Sequence, residues 1–331
     1  MRTVRNLHSV TPRPSCVTFG VFDGVHVGHQ ALLRRTVELA RAHGLRSVAL
    51  TFDPIPETLL RGARVPLLTT SAEKVALIRV AGVDLLVIAP FDRKFAVMGP
   101  VRFIREVLIG WLGARVVVAG PRTRFGHLAR GDPELLRRVG PRLGLHVEAV
   151  HVVLRDRDQV SSTAIRTLLA QGRIGAVNSA LGRPYSITGR VVSGTGRGRA
   201  LGFPTANLKV HPDKMLPPDG VYAAAAIIGE ERLPAAVNIG TRPTFEKGRA
   251  LPRVLEAHVL ACPERSRETL SGRALCGDLL GRTITLELLT GLRSERRFAS
   301  IEALRQQIAS DCTRTLSIYA RTSGRARKRH Q

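Results

Sequence analysis

The sequence lacks most of what a secreted or membrane-embedded chain needs. Its 331 residues include only four cysteines, Cys16, Cys262, Cys276 and Cys312, with no Cys-x-x-Cys pair among them. That scatter fits reduced thiols and argues against a disulfide framework or a cysteine-built zinc site. No run approaches the roughly 18 consecutive apolar residues of a membrane span. The opening string MRTVRNLHSVTPRPS has no apolar core of a signal peptide, so a cytoplasmic location is the expectation. Aromatic residues make up only 4% of the chain, which leaves little to stack on single-stranded bases. Acidic residues are also scarce: 26 Asp+Glu stand against 51 Lys+Arg, for a formal charge of +25. Such a charge makes polyanions the first partners to weigh. The excess is nearly all arginine, however, and is spread through both halves; only RTSGRARKRHQ is a true basic run, read as a solvated, disordered end over 323–331. Nucleic-acid binding therefore stands as a lesser alternative, and no membrane partner is expected.

What is present is strongly patterned. The length suits two domains, each able to bury its own core. The first half alternates short β-branched runs (SCVTFGVF, SVALTF, DLLVIAPF, ARVVVAG) with amphipathic segments (HQALLRRTVELARAHG, SAEKVALIRVAG, PVRFIREVLIGWLG, DPELLRRVGPRLG). This rhythm predicts an α/β domain with a parallel, doubly wound sheet, whose ligands bind at the carboxyl ends of the strands. After SSTAIRTLLAQGRIGAVNSALG the rhythm changes. YSITGRVVSG, GVYAAAAIIG, LPAAVNIG, RVLEAHVL and RTITLELL follow without comparable helices, which predicts an antiparallel barrel or sandwich. A closing helix is expected from about Ser300 to Tyr319, with Ser300 as N-cap and Ile301, Leu304, Ile308 and Leu316 as its apolar stripe. The expected domains are thus 1–182 and 183–322.

The string VFDGVHVGHQALLRR, residues 21–35, follows the first buried strand and runs into the first helix. Gly24 and Gly28 let the backbone approach a ligand, and the helix starting near His29 offers free N–H groups and a positive dipole end. His26 and His29 in such a cradle can donate hydrogen bonds to phosphate oxygens and to the charge that builds during transfer. A metal site would need a third ligand, and His-x-x-His lacks the i, i+4 spacing that sets two histidines on one helix face. Further on, VSSTAIR places two hydroxyls and a guanidinium, Ser162, Thr163 and Arg166, in one helical turn. Taken alone this is an ordinary helix start; beside His26 and His29 it reads as a polyphosphate clamp.

These residues resemble the nucleotidyltransferase superfamily with its H-x-G-H signature, and the wider string TFGVFDGVHVGH is similar to the FAD synthetase branch. The resemblance implies a Rossmann-like domain in which Gly20, Phe22, Asp23, Gly24, His26, Gly28 and His29 bind ATP, His26 and His29 acting catalytically. Ser162, Thr163 and Arg166 would contact the leaving pyrophosphate.

In the second half, SGTGRGRALGFPTANL, residues 193–208, is dense in glycine and arginine and ends in a Pro-Thr-x-Asn turn. Thr205 and Asn207 offer hard oxygen ligands suited to Mg²⁺ beside nucleotide phosphates, although a glycine-rich hairpin alone would explain most of the string. It is not a Walker loop, because the Gly-Lys-Ser/Thr ending is missing. The string resembles the riboflavin kinase signature G-R-x-L-G-F-P-T-A-N, and LPPDGVYA, VNIGTRPTF, LEAHVL and LRSERRF follow in the same order as in that family. The resemblance implies that Gly198, Arg199, Gly202, Pro204, Thr205 and Asn207 bind ATP, that Thr205 and Asn207 hold Mg²⁺, that Glu256 is the base for the flavin 5′-hydroxyl, and that Arg293 lies beside the flavin. A carboxylate base suits phosphoryl transfer, which asks mainly for positioning and charge neutralisation.

Together the two resemblances cover about residues 14–311, in the order of the bacterial bifunctional riboflavin kinase/FAD synthetase family. They imply a two-domain flavin enzyme using riboflavin, FMN and ATP. Three departures qualify this. FDPIP has Ile55 where F-x-P-H-P is usual; GPRTRFG has Arg122 and Thr123 where an amide or carboxylate and an aromatic are usual; and 261–277 is an insertion before DLLG, with Leu280 at the usual tyrosine. The insertion is polar and arginine-rich and reads as a surface loop. Because Ile55, Arg122 and Thr123 fall in the first half, an alternative is a kinase whose adenylyltransferase half is weakened or redirected to a modified flavin. A flavin-responsive nucleic-acid-binding protein is the alternative from another class.

Overall fold

A computed structural model describes residues 1–62, 64–150, 160–241, 253–260 and 279–327. The insertion 261–277 and the end of the basic tail lie outside the described residues. The chain divides into two compact units, Met1–Ser162 and Thr163–Gln331.

The first unit is built on a six-stranded parallel sheet: β1 Arg2–Val4, β2 Ser15–Phe19, β3 Arg46–Asp53, β4 Leu85–Pro90, β5 Ala114–Ala119 and β6 His146–Ala149, in the order β1-β4-β3-β2-β5-β6. All five residues of β2 are buried. A parallel strand packed on both faces requires that continuous burial, which is why SCVTF shows no polar alternation. The helices include α1 Val27–Ala42, α2 Pro56–Arg61, α3 Ser71–Val80 and α4 Pro133–Val139, and a π-helical segment spans Phe103–Trp111. From β2 the chain winds one way to β3 and β4 and then crosses to β5 and β6 on the other side. The carboxyl end of β2 is therefore the point where the sheet reverses direction, and open α/β sheets place ligands there. Beneath it, Phe19 meets Phe103 and Phe125 edge-on at 5.2 and 5.5 Å between ring centroids.

The second unit carries α5 Ser162–Ala170 from its second residue on, and α6 Ile174–Leu181. Both helices precede the division at 182/183 that the strand rhythm suggests. Asn178 ties α6 to the strands that follow, accepting from the Tyr185 amide at 2.8 Å and donating to the Leu288 carbonyl at 2.9 Å. Those strands are β7 Tyr185–Val192, β8 Ala206–Val210, β9 Gly220–Ile228, β10 Glu231–Thr241, β11 Arg253–Val259 and β12 Thr283–Ser294. They close into an antiparallel barrel, β10-β11-β8-β7-β12-β9, which decides between the barrel and the sandwich. The interior is filled from alternating positions such as Val237, Ile239, Leu255 and Ala257, all nearly solvent-free. Outside, Ile318 of α7 Ile301–Arg327 packs on Val221, Ala223 and Leu292. Ser300 caps this helix, accepting from the Ala303 amide at 3.1 Å. The helix passes Tyr319 and continues to Arg327, so the segment expected to be disordered from 323 is helical as far as 327. No proline interrupts that stretch, and a basic last turn suits the negative end of the helix dipole.

Candidate functional site

The loop between β2 and α1 is held in a conformation that its sequence does not favour. Phe22 and Val25 take left-handed backbone angles, φ 50° and 39°, which cost a non-glycine residue free energy unless the surroundings fix them. The fixing groups surround the loop. The Val21 carbonyl accepts from Thr51 Oγ1 at 3.0 Å and from Lys74 Nζ at 2.9 Å. The Asp23 carboxylate accepts from the amides of Leu68 and Thr69 and from Thr69 Oγ1, at 2.9–3.1 Å. Ser162 Oγ donates to the Asp23 carbonyl at 2.8 Å. Phe22 and Asp23 are almost wholly buried, so they shape the loop from behind, and any ligand contact of theirs falls to the backbone. Gly20 has likewise committed its amide, to the Leu50 carbonyl at 3.0 Å.

Here the two histidines form one unit. His26 is the N-cap of α1, its Nδ1 accepting from the His29 amide at 3.3 Å. Nδ1 is therefore unprotonated. The rings stack with centroids 3.6 Å apart and planes 17° from parallel, and Phe22 meets His29 edge-on at 5.2 Å. A Cβ on Gly28 would come within 3.1 Å of the His26 ring, so the glycine of H-x-G-H is what lets that ring fold back over the helix start. The amides of Val27 and Gly28, in the first helical turn, have no carbonyl within the helix to bond. His29 Nδ1 is buried and has no hydrogen-bond partner among the described residues. Burial, then the neighbouring His26 and Lys74, hold the His29 imidazole well below its ordinary pKa, so it is neutral near pH 7.

Nothing in the sequence marks Lys74 as part of this site. In SAEKVALIRV it is one more charged helical position, yet it is only 5% exposed. The capping box of Thr70 and Glu73 starts α3 where Lys74 falls in the first turn, and its ammonium points at the loop. Burial lowers its pKa, against the opposing pull of Asp23, Asp53 and Glu57.

The departures from the family pattern have definite places. Ile55 is buried, 4% exposed, and precedes α2 without capping it. Thr123 closes a tight turn, its amide donating to the Gly120 carbonyl and its Oγ1 accepting from the Gly120 amide, both at 3.0 Å. Arg122 is exposed on that turn, and the aromatic packing at this edge falls to Phe125. A cavity of about 250 Å³ adjoins the turn, lined by Gly120, Arg124, Asp132, Arg137 and Ala149 among others. In α5, Thr163 is exposed and Arg166 half-buried.

In the second unit one rung of the barrel gathers the expected residues. Asn207 on β8 pairs with Glu256 on β11, which pairs with Asn238 on β10; Asn238 pairs with Val221 on β9, which pairs with Arg293 on β12. Directly opposed residues share a face. Glu256 and Asn238 are half-buried between the inward Leu255, Ala257, Val237 and Ile239, so this face is the outer one. The glycine-rich loop rests against it. A Cβ on Gly194 would overlap the Asn207 amide, and one on Gly198 would lie 2.5 Å from the Phe203 carbonyl and 3.0 Å from Thr205 Oγ1. Gly202 takes φ 88° and Arg199 is exposed. The Pro204 carbonyl is 2.7 Å from His258 Nδ1, which must carry a proton, since a carbonyl can only accept.

Arg293 is fixed from α7. Its Nε donates to Asp311 Oδ2 at 2.9 Å, Gln307 Nε2 donates to the other carboxylate oxygen at 2.9 Å, and the guanidinium lies 5.5 Å from the Phe298 ring centre. Asp311 and Gln307, one helical turn apart, carry no local signal that ties them to Arg293.

Among the described residues no group of three His, Cys, Asp or Glu could hold a metal unaided. Thr205 and Asn207 supply a hydroxyl and an amide oxygen where Gly194 and Gly198 bring the loop backbone close, a donor set that fits Mg²⁺ completed by phosphate oxygens. No helix among the described residues is long and apolar enough to cross a membrane.

Comparison with known proteins agrees with both halves. The FAD synthetase family model matches residues 8–164 and the riboflavin kinase model residues 181–319. The bifunctional riboflavin kinase/FMN adenylyltransferase of Escherichia coli K12 is 36% identical over 94% of this chain and 96% of its own length. That of Pseudomonas fluorescens is 34% identical over 98% and 100%. A crystal structure described as a macrolide-efflux protein from Streptococcus pneumoniae aligns over 94% of this chain and 96% of its own, with a TM-score of 0.80 and 28% identity. By matches that span both units in one order, the chain belongs to the family of bifunctional riboflavin kinase/FMN adenylyltransferases.

Proposed function

We propose that the chain phosphorylates riboflavin to FMN at the outer face of its barrel and joins AMP to FMN at the loop after β2. One observation carries each step: the shared rung of Asn207 and Glu256 for the first, and the His26–His29 stack over the start of α1 for the second.

In the kinase step, Glu256 accepts the proton of the riboflavin 5′-hydroxyl as that oxygen bonds to the γ-phosphorus of ATP, and ADP leaves with the electrons of the broken P–O bond. Gly198, Arg199, Gly202 and Pro204 shape the loop that seats ATP. Thr205 and Asn207 hold Mg²⁺, which when bound would neutralise charge on the phosphates. Arg293, locked by Asp311, lies beside the flavin.

In the adenylyl step an FMN phosphate oxygen attacks the α-phosphorus of a second ATP, and pyrophosphate leaves. The imidazoles of His26 and His29, with the first-turn amides of α1, stabilise the charge that develops there. Gly20, Phe22, Asp23, Gly24 and Gly28 give the loop its shape, and Ser162, Thr163 and Arg166 bind the departing pyrophosphate. The Ser162 proton is held by the Asp23 carbonyl in this structure, so reaching a phosphate requires its hydroxyl to turn. The cavity beside Thr123, at the carboxyl ends of β5 and β6, is the seat we assign to FMN. Functionally the halves divide at 182/183, because α5 carries the second phosphate motif. The place of work is the cytoplasm, in keeping with the free thiols of Cys16 and Cys312.

The test is chromatography of the products formed from riboflavin, Mg²⁺ and excess ATP. The unsubstituted chain yields FMN and FAD, His29→Ala stops at FMN, and Glu256→Gln retains only a small residual rate of riboflavin phosphorylation but converts supplied FMN to FAD. FAD from His29→Ala at the unsubstituted rate would overturn the role of the histidines. FMN alone from the unsubstituted chain would overturn the second step and favour redirection through Ile55, Arg122 and Thr123.

A further inference from the structure

Along the outer face of β10, the positions alternating with the buried interior are Pro234, Ala236, Asn238 and Gly240. Three are small or apolar; the fourth is an amide. Asparagine is disfavoured in strands, where a β-branched residue packs better, so its presence in a fully paired strand needs a reason. Strand pairing does not supply one, because Asn238 has neighbours on both sides through its backbone alone.

What register does supply is Glu256. The base is flanked by two amides, Asn207 on β8 and Asn238 on β10, each directly opposite it. Side chains so paired have Cβ atoms about 4.5–5.5 Å apart on one face, within reach of a carboxylate-to-amide hydrogen bond. Asn207 is buried, 7% exposed, and wedged against Gly194, which commits it to the nucleotide loop. Asn238 is half-buried. An amide with two N–H donors thus stands beside a carboxylate that must be held toward one hydroxyl. Hydrogen bonds of this kind are often slack before substrate binds and tighten in the complex.

We propose that Asn238 is a positioning residue for the kinase step: its side-chain amide donates to the Glu256 carboxylate and aims the other carboxylate oxygen at the riboflavin 5′-hydroxyl. The proposal rests on the reading of Glu256 as the base. Asn238 itself touches neither nucleotide nor transferred phosphoryl group, so its removal lowers kcat without raising the KM for Mg-ATP.

The experiment measures kcat and both KM values for riboflavin phosphorylation in Asn238→Val, Asn238→Thr, Glu256→Gln and the Asn238→Val/Glu256→Gln double variant. Adenylylation of supplied FMN reports that each chain is folded. Asn238→Val should keep its unfolding midpoint and lose about tenfold in kcat, the scale of a misaimed reacting group. Asn238→Thr, which retains a donor, should recover part of that loss. The valine change should have no further effect on the residual rate of Glu256→Gln, because a residue acting through Glu256 has nothing left to aim. An Asn238→Val chain at full kcat, beside an impaired Glu256→Gln, overturns the positioning role alone. Full activity in Glu256→Gln overturns the base assignment and the proposal with it. Equal loss from valine in both backgrounds shows that Asn238 does not act through Glu256.

Discussion

The imidazole rings of His26 and His29 lie face to face, with centroids 3.6 Å apart, and the Nδ1 atom of His29 is buried without a partner among the described residues. Two protonated rings could not share that arrangement without strong repulsion, and burial further favours the neutral form of His29. The folded chain therefore binds fewer protons at His29 than the unfolded chain does. The sign follows: this contribution to stability is complete above the unfolded imidazole pKa of about 6.5 and is lost as pH falls from there toward the lowered folded value, by about 1.4 kcal/mol per unit of depression. Unfolding of the intact protein and of His29→Gln should be followed at several pH values below 7. The stability difference between the two should shrink or reverse as pH falls; a difference that does not change with pH would mean that the imidazole is not held neutral.

Lys74 offers a separation of stability from activity. Its ammonium is costly to bury, while its nearest carboxylate, Asp23, is already satisfied by Leu68 and Thr69, and the Val21 carbonyl keeps Thr51. Lys74→Met relieves the cost of burying the ammonium but takes its positive charge from Asp23, Asp53 and Glu57, so it should lower the unfolding free energy by less than the roughly 3 kcal/mol that breaking a fully buried pair costs. The same change removes a cation close to the histidine pair, where phosphate charge is to be held. FAD formation from FMN should fall by about tenfold with FMN formation unchanged, less than the roughly 100-fold or more that losing a donor in direct contact with the reacting atoms costs. Retention of full FAD formation would place Lys74 outside the cradle's chemistry.

The particular residues show what was legible in advance. The H-x-G-H string sets its own geometry within four residues, because His26 caps the helix that His29 sits on and Gly28 makes room for the ring. The parallel sheet was legible for a similar reason: strands such as SCVTF must be apolar throughout if both faces are covered. Lys74 and Asp311 were not, because a charged helical position looks solvated until tertiary packing buries it. Asn238 lies within VNIGTRPTF but acquires its meaning only from β10–β11 register, which links residues 18 apart in the chain and leaves no periodic trace. The continuation of α7 past Tyr319 was hidden by basic composition, which reads equally well as a tail or as a helix end.

Two neighbouring glycines in the kinase loop should respond differently to the same substitution. At Gly194 a methyl group would overlap the Asn207 amide, which is buried. At Gly196 nothing lies within 4 Å, and the cost is only that of a φ of 74°. Gly194→Ala should displace Asn207 and lower riboflavin phosphorylation by more than about tenfold. Gly196→Ala should cost about 1 kcal/mol of backbone strain and leave phosphorylation largely intact. Both should convert supplied FMN to FAD. Equal kinase rates in the two variants would show that the loop does not depend on Asn207 lying where it does.

The last relationship to test is the one that fixes Arg293. Its side chain is 17% exposed and that of Asp311 3%, so the pair is largely shielded from solvent and from salt. Asp311→Asn keeps the shape and one acceptor oxygen while removing the negative charge. The guanidinium is then left in a poorly solvated place without its counter-charge; removing one partner of a fully buried pair costs about 3–5 kcal/mol, and the 17% exposure of Arg293 puts this pair toward the lower end. Two consequences should appear together: lower stability of the second unit, and a higher KM for riboflavin with the KM for Mg-ATP unchanged, because Arg293 is assigned to the flavin and Thr205 and Asn207 to the nucleotide. Added salt should restore little of the loss, since the site excludes it. A rise in both KM values would mean instead that Asp311 supports the barrel as a whole, and that Arg293 does not distinguish the flavin side of the rung from the nucleotide side.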